Sequence, residues 1–233
     1  MAFDGNIQQK RPISIGIPQG SPISPILFLI YVSEHFKNRT QNDIKTSNYI
    51  DDIALVVSSP TVEKNCDKFK TAVQELFSLQ KDCCIYFDLN RSDLIHFFSN
   101  NFDEVELSSE FKLISKSVIR WLGVWLDVKL LFKVHMEKKI ADADRVLSSM
   151  IRLFNTERGL SFQAIRQLYI AYITSVADYG VSVLWKRDKQ QHLLNKYQTL
   201  QNQALKRVLE AFKSSSIRAM ENEVSLPPPI IRF

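Results

Sequence analysis

Apolar positions recur along this chain with two different periods, and the change from one to the other divides it. Around Tyr49 the pattern suits strands: Thr46-Ser47-Asn48-Tyr49-Ile50, then Asp51 and Asp52, then the run Ile53-Ala54-Leu55-Val56-Val57. Two β-prone segments meeting at adjacent carboxylates predict a tight hairpin with Asp51-Asp52 as its turn, because Asp tolerates the positive φ that such turns require. Upstream, Gly16 to Pro25 is dense in turn formers. Ser24 as a cap with Pro25 at the first helical position predicts a helix through Ile26, Leu27, Leu29, Ile30 and Tyr31 to about Phe36. That helix is apolar nearly all round and is expected to be buried. After the hairpin, Ser58-Ser59-Pro60 offers a second cap, and Val62, Cys66, Phe69, Val73, Leu76 and Phe77 mark an amphipathic helix. Strands are expected at 84–87 and 94–98, around a turn at Asp88-Leu89-Asn90-Arg91. A further strand pair, Val118 to Val124 and Trp125 to Val128, is broken near Gly123.

From His135 onward the period is helical. Met136, Ile140, Ala143, Leu147, Met150, Ile151 and Phe154 mark one stripe, and Ile165, Leu168, Tyr169, Tyr172 and Val176 a second, capped by Ser161 and ending near Gly180. Leu193, Leu194, Tyr197, Leu200, Ala204, Leu205, Val208 and Phe212 mark a third. Such stripes are core positions rather than sites. The fold class is therefore α+β, divided into residues 1–133 and an all-helical 134–233. The first part reads helix, hairpin, helix, strand, strand, which is most of a split βαβ arrangement: an antiparallel sheet with two helices on one face. Its opening strand is missing, so the chain is expected to begin partway into a domain.

Composition narrows the classes. The 233 residues are 45% hydrophobic and 24% charged, a globular composition. Three cysteines without a CxxC pair argue against a disulfide framework or structural zinc and for a reducing, intracellular setting, nuclear or cytoplasmic. The longest apolar stretch, Ile23 to Val32, falls short of the roughly 20 residues of a membrane span, so a soluble protein is expected. Charge is uneven. Residues 1–133 carry 15 Lys and Arg against 16 Asp and Glu, and residues 134–233 carry 15 against 9. A near-neutral part bearing a carboxylate pair, followed by a basic part, suits chemistry in one region and polyanion binding in the other.

The candidate chemistry sits at Asp51 and Asp52. Two like charges side by side repel unless water or a cation neutralises them. Mg²⁺ suits such a pair, since it takes one or two carboxylates and leaves its other positions to water and substrate phosphates. The plain alternative is a solvated turn. The Gly-containing loop entering the first helix can bring backbone N–H groups to a phosphate or base, or can be an ordinary capped loop.

Several segments match one family in order. Gly16-Ile17-Pro18-Gln19-Gly20-Ser21-Pro22-Ile23-Ser24-Pro25 with Ile26-Leu27-Phe28 resembles the fourth block of reverse transcriptases from non-long-terminal-repeat retrotransposons, and Tyr49-Ile50-Asp51-Asp52 resembles their YxDD block. Asp88 to Phe97 is similar to the block that follows, and Trp121-Leu122-Gly123-Val124-Trp125-Leu126-Asp127 to the block at the primer grip. Tyr179-Gly180 to Trp185, and Ala204 to Pro229, resemble the thumb and the region after it.

The resemblance implies a partial polymerase palm over 1–133, a helical thumb over 134–233, and RNA-directed DNA synthesis by two-metal nucleotidyl transfer. Asp51 and Asp52 would be the catalytic and metal-binding carboxylates, with Mg²⁺ or Mn²⁺. Gln19 and Gly20 would lie against the incoming nucleotide and template, and Tyr49 beside the primer end. Trp121, Leu122 and Gly123 would hold the primer. Arg91 stands where the family often has Lys; it could pair with phosphate but scarcely gives up a proton. The partners implied are an RNA template, a DNA primer and deoxynucleoside triphosphates. The family also uses an upstream Asp, which Asp4 is too close to Gly16 to supply, so this chain alone is expected to be inactive. The alternatives are a non-catalytic nucleic-acid-binding remnant and a small metal-dependent phosphodiesterase using the same acids.

Overall fold

The computed structural model describes residues 2–3, 6–7, 20–36, 43–83, 85–98, 104–107, 111–150, 159–184 and 191–232. It divides into two compact units, Met1–Ser92 with Val105–Leu113, and Asp93–Glu104 with Ile114–Phe233. The class is α+β, and every sheet among the described residues is a two-stranded ribbon. Packing thus divides the chain elsewhere than at residue 133, because the strand pair at 118–127 belongs to the same unit as the long helices.

The first unit opens on a short ribbon of β1 (Ala2–Phe3) and β2 (Asn6–Ile7). Helix α1 (Ser24–Phe36) follows, then the hairpin β3 (Ile44–Tyr49) and β4 (Asp52–Val57), then α2 (Val62–Cys83). The hairpin runs in register from Ile44↔Val57 to Tyr49↔Asp52. Its open end is closed by the Ser58 N–H donating to the Asp43 carbonyl at 2.9 Å. Helix α2 packs on β4, buries Ala72, Val73 and Leu76, and pairs Lys68 with Asp43 at 2.5 Å. The α2 cap is Thr61 rather than the serines before Pro60: its hydroxyl accepts from the Lys64 N–H at 3.4 Å.

Three expectations fail in this region. The strands at 84–87 and 94–98 do not form. Cys84 lies outside the described residues and Ile85–Phe87 is irregular. Leu94 makes one parallel bridge, to Ser115, and the chain turns at Phe98, whose φ is +60°. Pairing occurs instead between β5 (Glu104–Glu106) and β6 (Lys112–Ile114), which bury Val105 and Leu113. Helix α1, second, is not buried: Ile26 is 57% exposed and Ile30 62%, and among its described residues Val32 is the buried one. The two-stranded ribbons among the described residues provide no layer wide enough to cover a helix that is apolar all round. Third, Ser24 is the first residue of α1 rather than its cap, the Leu27 N–H bonding to the Ile23 carbonyl at 3.0 Å.

The second unit holds the hairpin β7 (Val118–Trp121) and β8 (Val124–Asp127), then α3 (Lys133–Met150). Next come α4 (Phe162–Leu168), a π-helical turn Tyr169–Thr174, α5 (Ser175–Ala177) and α6 (Val181–Leu184). Helices α7 (Gln191–Val208), α8 (Ile217–Val224) and α9 (Pro229–Arg232) complete it. Its core joins Ala143 and Leu147 of α3, Ile165, Tyr169, Ile173 and Ala177 of the α4–α5 stretch, Tyr197, Leu200, Ala204, Leu205 and Val208 of α7, and Met220 and Val224 of α8.

Ser161 caps α4 as expected, accepting from the Ala164 N–H at 3.4 Å. The second stripe shifts, however, and Tyr172 is exposed while Ile173 is buried. The π turn carries more residues per turn, so core positions recur every four residues. Phe212 lies beyond the end of α7 and is 83% exposed. Ile151 and Phe154 of the first stripe fall outside the described residues.

Candidate active site

The hairpin places Asp51 and Asp52 differently from each other. Tyr49 pairs with Asp52, so the two-residue turn is Ile50-Asp51, and Asp52 opens β4 rather than completing an Asp-Asp turn. Ile50 takes the positive φ, +53°, and Asp51 does not. Positive φ at the first central position alone is the type II′ pattern, where glycine is usual. A β-branched residue there is strained, by about 1–3 kcal/mol. The ladder from Ile44 to Val57 and the α2 packing hold it. Both carboxylates are exposed, and Tyr49 is 60% exposed beside them. Hard, solvent-facing oxygen donors of this kind fit Mg²⁺ or Mn²⁺, which keep several waters. Among the described residues there is no group of three or more His, Cys, Asp or Glu arranged to hold a metal ion.

Of the other residues singled out in the first unit, Gln19 lies outside the described residues. Gly20 has φ +91°, and a Cβ built there would meet nothing within 4 Å, so glycine serves the backbone angle in open space. Ser21 orders the loop after it, its hydroxyl accepting from the Ile23 N–H at 3.3 Å. Arg91 ends a 3₁₀ turn, Leu89–Arg91, capped by Asp88, whose carboxylate accepts from the Asn90 N–H. Arg91 Nε also meets Asp88 at 3.1 Å, but with its side chain 89% exposed that pair is worth little and does not commit the guanidinium.

In the second unit, Trp121, Leu122 and Gly123 form the end of the β7–β8 hairpin. Trp121 pairs with Val124, and the turn residues Leu122 and Gly123 have φ +47° and +78°. Positive φ at both central positions is the type I′ turn, matched to strand twist. Three residues around this hairpin went unassigned by the sequence. Asp127 accepts three backbone N–H groups, from Lys129 (3.1 Å), Leu131 (3.0 Å) and Phe132 (2.6 Å), and so shapes the entry to α3. His135 is fully buried on α3. The Trp125 N–H donates to its Nδ1 at 3.3 Å and its Nε2–H donates to the Tyr179 carbonyl at 2.8 Å. Burial holds its pKa below the usual histidine value, against the Tyr179 hydrogen bond and with help from Lys139. The third is Tyr179, whose hydroxyl donates to the Leu122 carbonyl at 2.8 Å. Tyr179-Gly180 was visible as a motif and Asp127 as the last residue of the block from Trp121, though neither with this structural task, whereas a lone buried histidine carries no signal in sequence.

The flank of this hairpin is cationic and aromatic. Lys138 Nζ lies 3.6 Å from the centroid of the Trp125 ring, with the Arg120 guanidinium at 5.7 Å, and Lys139 lies 4.4 Å from that of Tyr179. Burial, with Arg120 nearby, depresses the Lys139 pKa. Rings and fixed cations side by side suit bases and phosphates. Among the described residues no helix is long and apolar enough to cross a membrane.

Residues 1–126 match the family model described as reverse transcriptase (RNA-dependent DNA polymerase). The chain is 24% identical over 214 residues to a probable RNA-directed DNA polymerase from transposon BS of Drosophila melanogaster, covering 86% of this chain and 23% of that protein. It is 23% identical over 234 residues to the RNA-directed DNA polymerase from mobile element jockey of the same organism, covering 97% of this chain and 25% of that protein. The chain thus spans about a quarter of the length of these relatives. No solved structure matches it.

Proposed function

Because the chain belongs to the reverse transcriptase family, as its motifs implied for a non-long-terminal-repeat element, we propose that its first unit carries the nucleotidyl-transfer carboxylates of an RNA-directed DNA polymerase. The observation that carries this is the hairpin end: two adjacent exposed carboxylates, Asp51 on the strained two-residue turn and Asp52 at the start of β4, with Tyr49 paired directly across from Asp52. Asp51 and Asp52 would hold the divalent ions that the family generally uses, and Mg²⁺ or Mn²⁺ so held supplies charge stabilisation at the primer hydroxyl and the leaving pyrophosphate. Tyr49 borders the primer end. By the resemblance, Gln19 and Gly20 would serve contacts to the nucleotide and template, and Arg91 offers its guanidinium to phosphate. In the second unit, Trp121, Leu122 and Gly123 hold the primer, and the helices from α3 on act as a thumb along the RNA–DNA duplex. Such a protein works in the nucleus or cytoplasm.

Metal-dependent unfolding tests the carboxylate assignment. Millimolar Mn²⁺ should raise the melting temperature of the wild type by mass action, and the gain should shrink in Asp51→Asn. In chelator, Asp52→Asn should be as stable as wild type or slightly more so, since a like charge has gone. Equal Mn²⁺ shifts in all three proteins would leave only a hairpin turn.

A second reading, non-catalytic nucleic-acid binding, is favoured by one observation: the described residues offer a carboxylate pair and no larger acidic cluster. A pair alone supplies one side of a two-metal clamp, so we expect no templated DNA synthesis from the 233-residue chain with Mg²⁺ or Mn²⁺. Primer extension that vanishes in Asp51→Ala would overturn that expectation.

A further inference from the structure

Tyr179 lies in the turn between α5 and α6 and His135 on α3, yet the side chains of both reach the β7–β8 hairpin. The Leu122-Gly123 turn places a leucine at φ +47°, a conformation that L residues other than Gly, Asn and Asp rarely adopt. Something outside the turn must hold it. The Tyr179 hydroxyl donates to the Leu122 carbonyl at 2.8 Å, and its ring lies so close to Gly123 that a Cβ built there would stand 3.2 Å from the ring edge. The backbone of Tyr179 is fixed in turn by His135, which receives the Trp125 N–H on one ring nitrogen and donates to the Tyr179 carbonyl from the other. One imidazole, locked in the Nε2–H tautomer, therefore ties strand β8 to the segment that carries the tyrosine. Gly180, at φ +74°, completes the arrangement, since a Cβ there would meet His135 Nε2 and the Leu184 side chain, both at 3.4 Å.

We propose that Tyr179 and His135 are positioning residues that fix the Leu122-Gly123 turn for contact with the end of the primer strand. This rests on the primer-holding reading of that turn given above. Neither side chain touches the primer in this scheme. Tyr179 sets the direction of the Leu122 carbonyl and, through it, of the turn, and His135 sets Tyr179. The cations Lys138 and Lys139 lie over the ring faces of Trp125 and Tyr179 and not on the tyrosine hydroxyl, so removing the hydroxyl separates bulk attraction for the sugar–phosphate backbone from the placement of its end.

The test uses the full chain and a DNA primer recessed on an RNA template, with a photoreactive 4-thiothymidine at the primer 3′ end. In Tyr179→Phe, affinity measured by fluorescence anisotropy should stay within about twofold of wild type. Cross-linking of the primer end to the peptide spanning 121–124 should fall at least about fivefold. Without nucleic acid, amide exchange over 121–125 should speed up about tenfold while exchange in α7 is unchanged, a pattern that general destabilisation would not give. Wild-type levels of cross-linking and exchange in Tyr179→Phe would overturn the positioning role while leaving the primer-holding turn intact. A wild-type protein that binds the duplex but never cross-links at 121–124, with hairpin exchange still faster in Tyr179→Phe, would overturn the primer-holding turn itself and with it this role.

Discussion

Asp127 offers the sharpest quantitative prediction, because its contacts are many and its chemistry ambiguous. It closes a block that resembles the primer-grip block, and an acid in a chain of this family invites a metal-binding role. The structure gives it another task. One carboxylate oxygen accepts from Lys129 and Leu131 and the other from Phe132, in a loop where Leu130 and Phe132 take φ of +49° and +55°. A hydrogen bond to a charged acceptor contributes about 1.5–3 kcal/mol. The Lys129 bond is exposed and counts least, so Asp127→Ala should cost about 3–6 kcal/mol from the two part-buried bonds. Asp127→Asn keeps one oxygen and turns an amide N–H toward a backbone donor, so about half that loss is expected. The assay is urea unfolding of the chain followed by tryptophan fluorescence, since Trp121 and Trp125 lie on the same hairpin. A cost below about 1 kcal/mol for Asp127→Ala would refute the reasoning, being less than one charged hydrogen bond. A loss of Mn²⁺ response at unchanged stability would move Asp127 among the metal ligands.

Two further outcomes are expected. His135 is neutral in the fold with its pKa held below 6.5, so its contribution to stability is complete above about pH 6.5 and is lost as pH falls through that value toward the folded one. Burial raises the pKa of Asp178, against its Tyr197 and Arg232 partners, and that group acts in the opposite sense. The difference between wild type and His135→Gln therefore isolates the histidine; equal losses from pH 7.5 to 5.5 in both proteins would exclude it. Binding to an RNA–DNA duplex should weaken with salt, log affinity against log salt falling by roughly 0.7–0.9 per phosphate contacted. Replacing Lys138 and Lys139 by Gln should flatten that slope, and a salt-independent affinity would count against an electrostatic interface.

What could be read from sequence follows from which interactions are local. The β3–β4 hairpin, α2 and the helical stripes were legible because period and turn chemistry are encoded within a few residues. The turn was displaced by one position because ladder register, not Asp preference, decides which residues bend; Ile50 occupies the strained place against its own propensity. Burial of α1 was misjudged since an apolar sequence states only that a helix wants cover, and the cover must come from elsewhere in the fold. Ile85–Phe87 shows the converse, a β-prone triplet that joins no ladder among the described residues. In the candidate site, Asp51 and Asp52 were visible as a motif. Tyr179 and His135 were not assigned, their contacts with the hairpin spanning 57 and 10 residues of sequence.

The π turn at Tyr169–Thr174 bears on how this chain should be aligned with its relatives. Ile165, Tyr169, Ile173 and Ala177 are buried in one core cluster at a constant spacing of four, which an α-helix of 3.6 residues per turn would carry progressively off one face. The wider winding absorbs the surplus. Deleting one residue between Tyr169 and Ile173 would change the spacing to four, three, four, the alternation that an α-helix keeps on a single face. A one-residue gap at this place in a distant relative is thus a change of winding rather than of core, and it would alter only the outward-facing Ile170, Ala171 and Tyr172.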